Sequence, residues 1–198
     1  MARVLIVAAH PDDELLGVGG TLLRHIAEGD NVNVHIECAG GLRDGYERLE
    51  IAAGIKRDVP YHAITFGQSA QLGYTVPFMA IDADIVYTHH PGDLNRDHRL
   101  VSEAVQVACR PHTANVKSLR YFETPSSTEW GSGFVPNLFV DIDTFLGEKG
   151  SLVARYETEV RPWPHPRSVQ ALIDRARYWG QVSGFRAAEA FQVGRERW

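Results

Sequence analysis

Cysteine is scarce in this chain: Cys38 and Cys109 are the only two. Two thiols in unrelated contexts cannot staple a disulfide framework or build a multi-cysteine zinc site, so a reducing, cytoplasmic setting is expected. A basic excess is also missing. Lys plus Arg number 20 against 25 Asp plus Glu, a formal net charge of −5, which excludes a nucleic-acid partner held by bulk charge. No apolar run approaches the ~20 residues that span a bilayer, so no transmembrane segment is expected. The opening Met1-Ala2-Arg3 lacks the n-region, h-region and cleavage site of a signal peptide. There is no Gly-x-Ser-x-Gly elbow, so a serine hydrolase has no nucleophile to offer. Long linkers, internal repeats and low-complexity tracts are absent too. The 198 residues therefore read as one domain, 1–198, large enough to bury roughly 70% of the surface its unfolded chain exposes.

What is present is an alternation of short apolar runs and helical stripes. Val4 to Ala9 suits a strand buried on both faces. Leu15, Val18, Leu22 and Ile26 repeat at helical spacing and stop at Gly29-Asp30. Val32, Val34, Ile36 and Cys38 alternate as a second strand, Tyr46, Leu49 and Ala53 make a weaker helix, and Tyr61 to Phe66 a third strand. Gly67 to Pro77 reads as loop, Ile85 to His89 as a strand, and Leu100, Val101, Ala104, Val105 and Ala108 as a helical stripe before the strand-like Val116 to Phe122. A loop over Thr124 to Pro136 and a short strand over Leu138 to Ile142 follow. A helix then starts behind Asp143 as its cap, and a last helix runs through Val169, Leu172, Ile173 and Ala176. This rhythm predicts an α/β fold, a single-domain Rossmann-like layer with a mostly parallel sheet and helices on both faces. Ligands of such sheets gather beyond the carboxyl ends of the strands.

Two polar clusters fall at such ends. His10-Pro11-Asp12-Asp13-Glu14 follows the first strand, and His89 to His98 follows the fourth. His and Asp three residues apart in a turn can converge on one metal ion, and the second cluster offers a third ligand. Two histidines and a carboxylate leave a coordination position open to water, a catalytic rather than structural arrangement. Of two adjacent aspartates, one can bind the metal while the other takes a proton from that water and later passes it to a leaving amine, which is amide hydrolysis. Iron(II) oxygenases use the same ligand trio. The quieter reading of Asp12, Asp13 and Glu14 is that they complement a helix N-terminus. His10 could likewise be a satisfied strand-end histidine, and His98 a solvated one. The joint placement of both clusters favours the metal. Gly17-Val18-Gly19-Gly20 lies inside a helix rather than opening one, so it suits close helix–sheet packing better than a dinucleotide.

The string Ala9-His10-Pro11-Asp12-Asp13-Glu14, with Leu16-Gly17 and Gly19-Gly20-Thr21 behind it, resembles the signature of the PIG-L / LmbE-like zinc deacetylases, which are N-acetylglucosaminyl deacetylases and related amidases. Asp93-Leu94-Asn95-Arg96-Asp97-His98-Arg99 is similar to the family's second motif, which ends in Asp-His. The likeness continues through Phe134 to Ile142, Lys149, Tyr156, Pro166-Arg167-Ser168 and Ala188 to Phe191, and so covers nearly the whole chain. It implies a Rossmann-like fold and one zinc ion per chain, held by His10, Asp13 and His98. Asp12 matches the general base that activates the zinc-bound water, and Asp97 an aspartate supporting the second motif's histidine. Many members carry His-Pro-Asp-His in the second motif, where the first histidine stabilises the oxyanion. Asn95 stands there in this chain. Asparagine can donate an N–H but cannot carry charge, so Asn95 is read as a neutral donor, with His89 or His90 as the other sources of charge.

The expected function is a zinc-dependent hydrolase removing an acetyl group from an N-acetylated amino sugar or sugar conjugate. The alternatives are a weakly active or non-catalytic sugar- or nucleotide-binding member of the same fold, or an amidase for another amide. Arg43 and His90 are the expected substrate contacts. The loop at Gly67 to Gln71 lacks the acidic sugar-contacting residue such an enzyme would carry, which leaves the substrate open. Trp130 and Trp163 are expected to pack beneath loops rather than stack on a sugar, and Cys38 to be a small core residue. Partners are a small-molecule N-acetylated sugar and no nucleic acid, with homo-oligomerisation left open.

Overall fold

The apolar run of β1 (Arg3–Ala8) is divided by the two-residue period of a strand. Val4, Ile6 and Ala8 join one core, while Leu5, Val7 and the following Ala9 join another on the opposite face. Both faces are covered, which is why the run is unbroken. The computed structural model describes residues 1–37, the strand at 61–63 and 82–198. Cys38, the Tyr46–Ala53 helix, the end of the third strand and the Gly67–Pro77 loop lie outside the described residues.

After β1 come α1 (Asp13–Ala27), β2 (Asn31–Ile36), β3 (Tyr61–Ala63), β4 (Ile85–His89), α2 (Arg96–Ala108) and β5 (Ser118–Phe122). β6 (Leu138–Asp141), α3 (Leu146–Val153), α4 (Val169–Ser183) and β7 (Ala188–Glu196) complete the described elements. The sheet order is β3-β2-β1-β4-β5-β7-β6. β1 to β5 run parallel, with Val4 opposite both Val32 and Ile85, and β7 runs antiparallel between β5 and β6. Leu15, Val18 and Leu22 of α1 share the first core with Leu152 of α3 and Leu172 of α4. Val101 and Val105 of α2 fill the second. The expected α/β layer with helices on both faces is thus the observed one.

The chain lays β2 and β3 on one side of β1, then returns to lay β4 and β5 on the other. The winding reverses between β1 and β4, and ligands of such sheets bind beyond the carboxyl ends of the strands at that point. His10 and His89 stand at those strand ends.

Two local expectations are corrected. Asp143 is no helix cap: it lies in a 3₁₀ turn, Asp143–Phe145, its N–H donating to Asp141 Oδ1, and α3 starts at Leu146. β7 has no counterpart in the sequence reading. Ala188 to Phe191 are all buried and the rest mostly not, so the strand shows no two-residue alternation.

The glycine run in α1 is used for close approach. A Cβ on Gly20 would fall 2.8 Å from Ile142, and one on Gly17 would enter the Phe122 ring. Beside them a buried ion pair meets the helix backbone. Lys149 Nζ donates to the Leu16 carbonyl (2.9 Å) and to Glu189 Oε1 (2.6 Å). Glu189 accepts from the Gly20 and Thr21 N–H groups (2.8 and 2.7 Å). Leu16 carbonyl and Gly20 N–H are the two ends of one ordinary helical bond. The pair therefore ties α1 to α3 and β7 at the turn following the polar N-terminus.

Removing one partner of such a pair leaves a buried charge uncompensated. Lys149→Met is expected to lower the unfolding free energy by about 3–5 kcal/mol in urea titrations. Lys149→Met combined with Glu189→Leu should recover most of that loss, since no buried charge is then left without a counterpart. Equal losses in the single and double variants would show that the pair is not coupled in this way.

Candidate metal centre

The site is built where β1 hands over to α1. Asp12 sits at φ 115°, ψ −31°, a conformation disfavoured for any residue with a Cβ. Its N–H donates to Glu14 Oε2 (3.0 Å) and its carbonyl accepts from the Leu15 and Leu16 N–H groups, which opens α1. An aspartate at a helix start ordinarily caps it with its carboxylate. Asp12 makes no such bond: the carboxylate meets Arg167 Nη1 at 3.1 Å, and is buried. Burial, then the neighbouring Asp13 charge, push its pKa well above the usual carboxylate range, and Arg167 pulls the other way. Strained backbone held by surrounding bonds, with its side chain kept out of the helix, is a mark of functional positions.

Asp13 turns inward and is fully buried. Its Oδ2 accepts from the His10 N–H (2.9 Å) and lies 3.2 Å from His10 Nδ1 and 3.3 Å from His98 Nε2. His10, Asp13 and His98 therefore present ligand atoms within 4.8 Å of one another. Each imidazole has a second carboxylate behind it. His10 Nε2 is 3.2 Å from Asp97 Oδ2, and His98 Nδ1 is 3.1 Å from Asp93 Oδ1. This corrects the expectation for Asp97, which backs His10 of the first motif rather than His98. Asp93 backs His98, held by the Asn95 N–H (2.8 Å), Thr128 Oγ1 (2.5 Å) and the Ser127 hydroxyl.

This donor set fits a divalent cation. Asp13 Oδ1 and both ring nitrogens of His98 are buried without an aligned hydrogen bond. Burial alone would raise the Asp13 pKa, but His98, His10 and His89 hold it well below the usual range. Burial lowers that of His98, yet Asp13 and Asp93 lift it to about 10. The pocket thus favours positive charge between its carboxylates. Imidazole, imidazole and carboxylate, each ring oriented by a further carboxylate, is the ligand chemistry zinc accepts. A second group, His25, Glu28 and Asp30, also lies within range. Its members are already engaged, Asp30 with His25 and the Ala2 N–H, Glu28 with Arg24.

Residues 5–59 match the family described as PIG-L, GlcNAc-PI de-N-acetylase. An uncharacterized deacetylase, YaiS, of Escherichia coli (strain K12) is 28% identical over 157 residues, 70% of this chain and 81% of that protein. A 1D-myo-inositol 2-acetamido-2-deoxy-alpha-D-glucopyranoside deacetylase of Tsukamurella paurometabola is 39% identical over 71 residues, 36% of this chain and 20% of that one. Over its N-terminal part the chain is thus similar to the PIG-L family, and over most of its length to a deacetylase. Its fold is also that of the conserved protein TT1542 from Thermus thermophilus, with a TM-score of 0.78 at 24% identity over 98% of this chain and 95% of that one. GalB, a 4-carboxy-2-hydroxymuconate hydratase from Pseudomonas putida KT2440, reaches 0.76 at 17% identity over 100% and 98%. The frame hosts a hydratase too, so the fold does not name the reaction.

The other residues of this PIG-L-like site take varied places. His89 stacks on His98 with ring centroids 4.0 Å apart. Its Nε2 accepts from the Ala9 N–H (2.9 Å), so its proton is on Nδ1, facing Thr124 Oγ1 (3.0 Å). Burial, then the nearby His98, push its pKa well below the ordinary imidazole value. It braces β1 against β4 as a neutral ring and is no source of charge. His90 is buried, its Nε2 donating to the Ser132 carbonyl (2.7 Å). Asn95 caps α2, its Oδ1 accepting from the Asp97 N–H (2.9 Å), which leaves the amide nitrogen as its donor. Arg43 lies outside the described residues. Trp130 and Trp163 are each 61% exposed, against the expectation that they pack beneath loops.

Sequence reasoning misses three participants. Arg167 lies 155 residues from Asp12, a pairing no local pattern could signal. Asp93 stands inside the second motif, but nothing in the motif's spacing distinguishes it from Asp97 as the partner of His98. Glu14 reads as a helix-dipole charge; it is fully buried, its pKa is pushed up to about 7 by that burial, and it fixes the Asp12 backbone.

Outer carboxylates of this kind typically contribute about 10–100-fold in metal affinity. Asp93→Ala is therefore expected to weaken zinc binding by about that factor in chelator competition. Unchanged affinity would remove Asp93 from the centre.

Proposed function

We propose that this protein is a metal-dependent amide hydrolase that removes an acetyl group from an N-acetylated amino sugar or sugar conjugate, with one zinc ion per chain held by His10, Asp13 and His98. The observation that carries the reading is the pairing of two roles in adjacent residues: Asp13 turned into a cluster of imidazoles, Asp12 held beside it with its carboxylate withheld from the helix. A bound ion there supplies Lewis acidity and lowers the pKa of coordinated water to around 7.

The chain's own residues do the rest. Asp12 accepts a proton from the attacking water as the carbon–oxygen bond forms. The same carboxyl then delivers that proton to the amide nitrogen as the carbon–nitrogen bond breaks, giving acetate and an amine. Burial favours its protonated form and Arg167 its ionised form; opposing influences of this kind suit a group that must do both. Asp97 and Asp93 fix the two ligand rings. The Asn95 amide nitrogen donates to the carbonyl oxygen as charge develops on it, a contribution whose loss costs on the order of 10²–10³ in rate in other hydrolases. Arg43 remains the proposed substrate contact, and His90 acts by holding the 132 loop. The sugar reading rests on the family and on the acetamido-sugar substrate in the Tsukamurella relative's name. No described helix is long and apolar enough to cross a membrane, and the cytoplasmic setting is kept on composition.

The test is metal analysis together with acetate release from a panel of N-acetylglucosamine compounds. Asp12→Asn keeps a side chain that tolerates positive φ. It should lower turnover by about 10²–10⁴ at unchanged metal content. Retained zinc with no acetate from any compound would favour the binding-protein alternative, and oxygen-dependent turnover would favour iron chemistry.

A further inference from the structure

A cavity of about 370 Å³ opens between the second half of α1 and strands β4, β5 and β6. Thr21 in its wall is eight residues beyond Asp13, about 12 Å along the helix axis at 1.5 Å per residue, so this space is separate from the metal centre. Most charges facing it are neutralised locally. Arg24 Nε pairs with Glu28 (2.8 Å), and His25 Nδ1 with Asp30 (2.8 Å).

Arg120 is different. It is half-buried, its guanidinium lies 5.4 Å over the Tyr87 ring, and it donates from Nη1 to Tyr87 Oη (2.7 Å) and from Nε to Ser118 Oγ (2.8 Å). Both acceptors are neutral. Among the described residues no carboxylate lies within ion-pair distance, and Glu196 reaches it only through the Ser118 hydroxyl (2.6 Å). Arginine carries five N–H donors, so most of the fork is left without an acceptor among the described residues. A partly desolvated cation of this kind is stabilised by an anion. The same wall holds Thr21 Oγ1, buried and without a partner among the described residues.

The lining also says what the anion is attached to. Phe139 and Phe185 give apolar faces, and Asp141, whose Oδ1 accepts from the Asp143 N–H, disfavours a bare multivalent ion filling the centre. We infer that this cavity is a second ligand site, taking a small organic phosphate or carboxylate whose anionic end meets the Arg120 fork and whose body packs on Phe139 and Phe185. It is independent of the proposed hydrolase reading.

Phenyl phosphate and inorganic phosphate are titrated calorimetrically into the metal-loaded protein and into Arg120→Gln, Arg120→Lys and His98→Asn. Saturable binding of phenyl phosphate is expected in the unaltered protein and in His98→Asn, with inorganic phosphate weaker than phenyl phosphate. Arg120→Gln should weaken it about tenfold or more, the scale of a charge-assisted pair. If Arg120→Gln fails to fold by circular dichroism, Arg120→Lys decides the matter: it keeps the charge but not the planar fork, and should weaken binding several-fold. Binding unchanged in the folded Arg120 variants, lost in His98→Asn, or absent altogether overturns the site. Equal affinity for the two phosphates overturns the role of Phe139 and Phe185.

Discussion

A fully buried carboxylate surrounded by imidazoles is costly unless every charge has a counterpart. Asp13 occupies such a place, with His10, His98 and His89 around Oδ2 at 3.2, 3.3 and 3.6 Å. The rest of the site follows from meeting that demand. Asp97 and Asp93 stand behind two of the rings. The third ring, His89, is made neutral by a backbone N–H and a hydroxyl. What results is a shell of carboxylate, imidazole and carboxylate that is short of positive charge at its centre. A divalent ion is the simplest group to supply it.

Such a shell needs a rigid frame, because a metal centre tolerates only small errors in ligand placement. The frame is asymmetric. Two proposed ligands, His10 and Asp13, come from one turn, fixed by reciprocal bonds between the His10 N–H and Asp13 Oδ2 and between the Asp13 N–H and the His10 carbonyl. The third arrives from α2 and depends on the cap at Asn95 and on Asp93. The Lys149–Glu189 pair anchors α1 one turn beyond the site. It links the helix that carries Asp12 and Asp13 to the antiparallel end of the sheet, so the C-terminal elements help hold the N-terminal motif.

The sequence is legible where a single period or a contiguous motif decides the outcome. The unbroken run from Val4 to Ala9 names a doubly covered strand, and His10 to Glu14 names the place where chemistry gathers. It is not legible where two remote pieces meet. Asp97 and Asp93 are four residues apart and chemically identical. Only the path of the chain, turning at Gly92 and entering α2, determines which faces His10 and which faces His98. Arg167 could be placed beside Asp12 only by folding. β7 escapes because its first four residues are all buried and the rest mostly not, so it carries no alternation to read.

A hydratase built on the same frame means that the sheet sets where a reaction happens, not which one. In the proposed reading the reaction depends on how the two aspartates divide their work. In this chain the division is enforced by the backbone. The strained φ at Asp12 turns consecutive side chains to different partners, Asp13 to the imidazoles and Asp12 to Arg167. In an unstrained helix start both carboxylates would compete for the same N–H groups. The strain is opposed by Glu14, buried against the Asp12 N–H and the Tyr156 hydroxyl. Thus the third acidic residue of the motif, which touches neither the proposed metal nor the proposed substrate, is what allows the first two to act differently.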